Sequence, residues 1–111
     1  MEHINVNDFP YKPSTRGVGE EFLLRQGNLT TKLLKYKAGE KVPLHTHTDE
    51  KHEKLIVIGR GEFTDESGET AVLGPGVMYM CGSGATYYSG TFLEDTVILV
   101  IESADSKIIE R

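Results

Sequence analysis

The sequence predicts an all-β domain. Two observations carry that expectation. Apolar or alternating runs of four to nine residues are separated by turn signals, and no amphipathic stretch of ten or more residues could close a helix. Twelve glycines among 111 residues supply the turns that such a chain needs. The strand spacing is that of a sandwich or barrel.

The first twenty residues, with Pro10, Pro13, Gly17 and Gly19, keep no sustained period and are expected to form an N-terminal arm (1–20) that wraps the surface. A single domain then occupies 21–111. Its first expected strand is Glu21–Gln26, ended by Gly27-Asn28. Leu29–Lys37 follows, with Thr30, Lys32, Leu34 and Tyr36 on one face and Leu29, Thr31, Leu33, Lys35 and Lys37 on the other. Ala38-Gly39-Glu40 turns the chain into Val42–His47, and Thr48–Lys51 is a polar connection in which Asp49-Glu50-Lys51 reads as a charged turn. Lys54–Ile58 is β-branched and apolar, as a central strand should be. Gly59-Arg60-Gly61 bends it toward Glu62–Asp65, and Glu66-Ser67-Gly68 pairs that strand with Glu69–Leu73 in a hairpin. After Gly74-Pro75-Gly76 come Val77–Met80, Thr86–Phe92 and Thr96–Glu102, with Gly82-Ser83-Gly84 as a further turn. Internal repeats and low-complexity linkers are absent.

A chain of this size buries a core without disulfides or metal staples. Its net charge of −5 and pI near 5.3 argue against nucleic acid or an anionic membrane as partner. No apolar run reaches bilayer length and the N-terminus does not read as a secretory leader. Cys81 is the single cysteine, so an internal disulfide is excluded and a reducing, cytoplasmic setting is expected, with Cys81 a small buried apolar residue.

The residues that point to chemistry are histidines. His45, His47 and His52, three of the four in the chain, fall within eight consecutive positions; His3 lies in the arm and is expected to be solvated. In a strand, residues two apart share a face, so His45 and His47 present their rings side by side. A third imidazole converging on them makes a site for a divalent transition metal, with Fe, Mn, Ni, Zn or Cu all compatible with imidazole donors.

The frame around these histidines resembles the cupin superfamily, whose first motif runs G-x5-H-x-H, three or four residues, E-x6-G. Here the corresponding text is Gly39, five residues, His45-Thr46-His47, four residues, His52, six residues, Gly59, so every spacing is met with His52 in the position of Glu. Ile56-Val57-Ile58-Gly59-Arg60-Gly61-Glu62-Phe63 is similar to the strand and Gly-x-Gly turn that follow. The second motif, G-x5-P-x-G-x2-H-x3-N, keeps its offsets in Gly76, Gly82, Gly84, Tyr87 and Thr91 but changes its content. Gly82 replaces Pro, Tyr87 replaces the fourth ligand His, and Thr91 replaces Asn. The resemblance spans Leu29 to Ser103, about two thirds of the chain. It implies a small jelly-roll (double-stranded β-helix) barrel with a metal site inside it near one mouth, and a homodimer.

The resemblance also implies roles. His45, His47 and His52 are the expected metal ligands, and Tyr87 is either a fourth ligand or a catalytic residue that orients substrate or serves as general acid. Exchanging Glu for His52 removes a negative charge from the ligand set, which a Tyr87 phenolate would restore. Glu53 stands as the rival third ligand if a one-residue bulge at Lys51-His52 shifts the strand; an inward Lys54 sits awkwardly with the register that points His52 inward. Ser89 and Thr91 share the face of Tyr87, and Met78, Tyr79 and Met80 are expected in the core or an interface. Three readings stay open: a metal-dependent enzyme, dioxygenase-like or related, acting on a small molecule; a non-catalytic module that binds or senses a small ligand; and a barrel that has lost its site and serves assembly.

Overall fold

The computed structural model describes residues 1–48, 52–80 and 87–110. Every regular element among them is a β-strand. In chain order they are β1 (Lys12–Pro13), β2 (Glu20–Arg25), β3 (Leu29–Tyr36), β4 (Lys41–His47), β5 (His52–Ile58), β6 (Gly61–Asp65), β7 (Thr70–Leu73), β8 (Met78–Met80), β9 (Tyr88–Phe92), β10 (Thr96–Ser103) and β11 (Ile108–Glu110). The described residues hold no helix long and apolar enough to cross a membrane. All strand pairs are antiparallel. One sheet runs β1-β2-β3-β10-β5-β8 and the other β11-β4-β9-β6-β7, and the two face each other as a jelly roll.

Eight of the nine strands expected from the sequence lie wholly within the described residues and appear with ends shifted by no more than a few residues. The ninth, Thr86–Phe92, is described from Tyr87 onward. Two elements went unforeseen. β1 is a two-residue pairing with Glu20 and Glu21 inside the expected arm, where Phe9 also packs on Phe22 at 4.8 Å between ring centroids. β11 is three residues long and closes the edge of the second sheet by pairing Ile108 with His47 and Glu110 with His45. Neither carries enough alternating residues to register as a strand on its own; tertiary pairing makes them strands.

The interior is apolar at one end and ionisable at the other. On β10 the inward residues are Ile98, Val100 and Glu102, and their ladder partners on β5 are Ile56, Lys54 and His52. On β3 the same progression runs from Tyr36 and Leu34 to Lys32. Leu34, Tyr36, Ile56, Phe63, Phe92, Ile98 and Val100 form the core, with Tyr36 stacked on Phe92 at 4.1 Å. The Phe63 ring fits because its neighbour is Gly90: a Cβ there would come within 2.6 Å of the ring.

β4 reaches this arrangement through a bulge. Val42 pairs with Gly90 but His45 pairs with Tyr88, so three steps on β4 match two on β9. The extra residue, at Pro43-Leu44, reverses the parity of the strand. Val42 packs against the core and His45 and His47 still point inward. Proline suits the position because a bulge releases its nitrogen from the ladder.

At the other end of β5, Gly59 holds φ +88° and lies against β10, where a Cβ would collide with the Asp95 carbonyl and Thr96. Both the left-handed backbone and the contact forbid a side chain. Gly59→Ala is expected to lower unfolding stability by about 2 kcal/mol or more, with the denaturant midpoint reduced and the slope unchanged; a midpoint equal to that of the parent protein would contradict this.

Candidate functional site

His45 and His47 project from the inward face of β4 and His52 from the first position of β5, so the three rings meet between the sheets at the ionisable end of the barrel. The His45 and His47 ring centroids are 5.0 Å apart and edge-to-face. Those of His47 and His52 are 3.8 Å apart and nearly parallel, at 22°.

Each ring has a distinct hydrogen-bond state. His45 Nδ1 lies 2.6 Å from the Pro43 carbonyl oxygen, which can only accept, so Nδ1 carries the proton and Nε2 keeps its lone pair. Burial lowers the His45 pKa to about 4, reinforced by the charges of Lys54 and Arg16 and opposed by the Pro43 bond. His47 is 1% exposed, and burial, then the Lys54 charge, push its pKa down further still. Among the described residues, neither its Nδ1 nor its Nε2 has a hydrogen-bond partner. His52 is fully enclosed, with Nδ1 at 3.4 Å from Glu102 Oε2 and 3.4 Å from Ser106 Oγ. Glu102 is itself held by Lys32 Nζ at 2.7 Å and Arg16 at 3.4 Å.

The register at β5 separates the two rival ligands. His52, Lys54 and Ile56 are buried and alternate with the half-buried Glu53, Leu55 and Val57. Glu53 pairs in unbroken register with Met80 and Ile101, and the irregularity on this ladder falls at Val97-Ile98. The bulge weighed at Lys51-His52 lies in part outside the described residues; β4 carries one of its own. The inward Lys54 is accommodated: its ammonium donates to the Tyr88 hydroxyl at 3.1 Å and lies 6.0 and 5.9 Å from the ring centres of Tyr79 and Tyr88.

Strand parity also bears on the tyrosine. Tyr88 stands on the face of Gly90 and Phe92, its ring centroid 4.5 Å from that of His45. Tyr87 directly precedes β9, on the parity of Ser89 and Thr91, which line an outer groove with Lys41, Glu62 and Thr64. Tyr79 turns into the interior while its neighbours Met78 and Met80 are exposed on the edge strand β8. Cys81, Gly82, Ser83, Gly84 and Asp49-Glu50-Lys51 lie outside the described residues.

A small cavity adjoins this cluster, bounded by Arg16, His45, Lys54, Tyr79, Tyr88 and Glu110 together with core side chains. Its volume is about 30 Å³, room for a water-sized group. Tyr88, Arg16 and Glu102 were not singled out from the sequence, and Lys54 was noted there only as an awkward inward residue. The signal for three of them was parity: Lys54 shares its face with His52 and Ile56, Tyr88 with Phe92, and Glu102 with Ile98 and Val100.

Chemically the donor set suits a divalent transition metal, since the imidazoles of His45 and His47 are held neutral and both nitrogens of His47 are unsatisfied. Geometrically, no three His, Cys, Asp or Glu side chains among the described residues are gathered about one point. The near-parallel stack of His47 on His52 keeps their lone-pair directions from converging. Holding an ion requires those rings to swing out of the stack.

The family profile of the ChrR cupin-like domain matches residues 1–106. Among curated proteins, none matches the sequence. Similar solved structures include the polyketide cyclase RemF from Streptomyces resistomycificus, at 15% identity and TM-score 0.80 over 99% of this chain and 84% of that one. A protein with a double-stranded β-helix domain from Klebsiella pneumoniae aligns over the full length of both chains at 15% identity and TM-score 0.74. A salicylate 1,2-dioxygenase from Pseudaminobacter salicylatoxidans aligns over 73% of this chain and 25% of its own, at 18% identity and TM-score 0.61. At such identities the likeness is one of fold: a double-stranded β-helix.

The buried histidines make stability pH-dependent. With pKa about 4 in the fold and 6.5 when free, His45 binds fewer protons folded than unfolded between those values. Stability therefore rises with pH across that window and is lost as pH falls from 6.5 to 4, with His47 adding to the same trend. In chelator-treated protein the melting midpoint is expected to drop over this range, and less so in His45→Gln. A flat midpoint from pH 6.5 to 4 would contradict the assignment.

Proposed function

The chain belongs to the ChrR cupin-like family, and from that premise we propose that it is a metal-binding cupin acting as a metal-dependent enzyme on a small molecule, with His45, His47 and His52 as the ligands. The observation that carries this reading is His47. A neutral ring with both nitrogens buried and unsatisfied costs on the order of 1–3 kcal/mol relative to an apolar side chain of similar size. Nothing in the packing of the core requires a histidine there. A lone pair kept for an ion accounts for it.

The neighbouring groups support the same reading. The Pro43 carbonyl holds His45 in the tautomer with the proton on Nδ1. Glu102 beside His52 Nδ1 would orient that ring in the way carboxylates behind metal-bound histidines do. The ligand and catalytic roles expected of Tyr87 pass in this reading to Tyr88 as a substrate-contacting residue, because its ring packs on His45. The ion, when bound, supplies Lewis acidity toward a small oxygenated substrate. That proteins of this fold include a polyketide cyclase and a salicylate dioxygenase supports small-molecule chemistry. The metal is one of Fe, Mn, Ni, Zn or Cu. A homodimer fits the exposed Met78 and Met80 on edge strand β8, and the single cysteine fits a cytoplasmic setting.

A non-catalytic binding module is the second reading, favoured by one observation: the cavity beside His45 has room only for a water-sized group.

Purified protein is expected to carry roughly one transition metal per chain, lost in His45→Ala/His47→Ala. His47→Leu separates a metal ligand from a structural histidine. It should abolish metal uptake while stabilising the chelator-treated protein by about 1–2 kcal/mol in denaturant titrations. Destabilisation with metal content unchanged would sink the proposal. Oxygen consumption by the Fe(II)-loaded protein supplied with small thiols and β-diketones then distinguishes an oxygen-consuming catalyst from a binder.

A further inference from the structure

The hairpin between β1 and β2 stands over the histidine cavity. Its loop, residues 14–19, sends Val18 onto the apolar core and Arg16 into the cavity wall. On its outer side Arg16 bounds a surface groove together with Thr15, Lys32, Ser106 and Lys107. Arg16, Ile108 and Glu110 border both hollows, so these three side chains stand between the groove and the cavity of His45. Two of them are anchored. Ile108 and Glu110 belong to β11, which is laddered to His47 and His45, and beside it Lys107 and Thr48 exchange two more hydrogen bonds. Arg16 belongs to a loop that bonds mostly to itself. The Ser14 amide donates to the Gly19 carbonyl, Gly17 to the Ser14 carbonyl, Arg16 to Ser14 Oγ and Thr15 to Glu21 Oε1. β1 adds only a short pairing at the sheet edge, and its Pro13 has no amide proton to give. Among the described residues, the loop's polar ties to the rest of the barrel are Arg16 to Glu102 at 3.4 Å and the Gly19 amide to Glu40 at 3.1 Å.

We propose that this loop is a gate on the histidine site, with the ion pair between Arg16 and Glu102 as its latch. Swinging Arg16 off Glu102 removes the partition residue that no ladder holds and joins the groove to the cavity. The closed cavity has room for a water-sized group, and a larger molecule reaches His45 through this opening. Local opening costs little where contacts are few. Here the loop gives up one ion pair and the seat of Val18, while its internal hydrogen bonds travel with it. Glu102 keeps Lys32 at 2.7 Å when Arg16 leaves, so the carboxylate is not stranded. Gly17, at φ +85° with open space where a Cβ would stand, is a ready joint beside Arg16. The joined space runs from His45 to Thr15 and Ser106 at the surface, which suits a small molecule longer than the closed cavity. The gate requires no bound ion, so it stands or falls apart from the metal reading above.

Carbethoxylation of histidine by diethylpyrocarbonate, followed site by site by peptide mass spectrometry in chelator-treated protein, tests the gate. The reagent is too large for the closed cavity, and His3, exposed in the arm, serves as the unhindered reference. In the parent protein His45 is expected to react well below the rate of His3. Arg16→Gln removes the latch and should raise the His45 rate roughly tenfold while leaving His3 unchanged. Arg16→Lys keeps a cation for Glu102 and should stay close to the parent. An unchanged His45 rate in Arg16→Gln overturns the gate. So does an increase matched by faster amide exchange along β10, an inner strand of its sheet, because that reports opening of the whole barrel. An Arg16→Lys rate equal to that of Arg16→Gln overturns the ion pair as the latch.

Discussion

Each strand of two packed sheets must keep one face dry, and β4 meets that demand only by inserting an extra residue. Without the bulge at Pro43-Leu44, strict alternation after Val42 would send His45 and His47 outward and Leu44 inward. With it, the strand serves the apolar core at Val42 and the histidine cluster beyond. Much else depends on that register. β11 reaches His47 and His45 along the outer edge of the same strand, and Tyr88 faces His45 because it is the ladder partner of His45 on β9.

The cluster holds two opposed electrostatic influences. Burial and Lys54 keep the imidazoles neutral, which frees lone pairs for a metal and at the same time raises the local potential against one. Glu102 lies on the far side, tied to Lys32 and Arg16, and touches only His52 among the three rings. On the His45 side Lys54 is buried, and Glu110 borders the same cavity. At the His52 side the carboxylate dominates. Charged groups thus flank the rings on two sides, Glu102 beside His52 and Lys54 beside Tyr88.

The fold was largely legible in the chain, because strand alternation and glycine-rich turns are local signals. Lys54–Ile58 and Thr96–Glu102 declared themselves by β-branched content, and Gly59 by the turn that follows the first of them. β1 and β11 were not legible, since short strands exist only where a neighbouring edge offers hydrogen bonds. The histidine cluster was read from spacing, and β5 register places His52 inward as expected. Tyr88 was not read from the sequence: the motif offset pointed to Tyr87, and the parity that Tyr88 shares with Phe92 became visible only with the sheet.

What the sequence determined by itself was the all-β architecture and the approximate location of the site, because both follow from residue types repeating every second position. Only the tertiary structure decided which side chains surround the histidines. Lys54, Tyr88 and Glu102 are remote from one another in the chain and meet through a bulge in one strand and the pairing of three others. A one-residue shift in any strand reverses its inward face, and where such shifts occur is fixed by the packing of both sheets together.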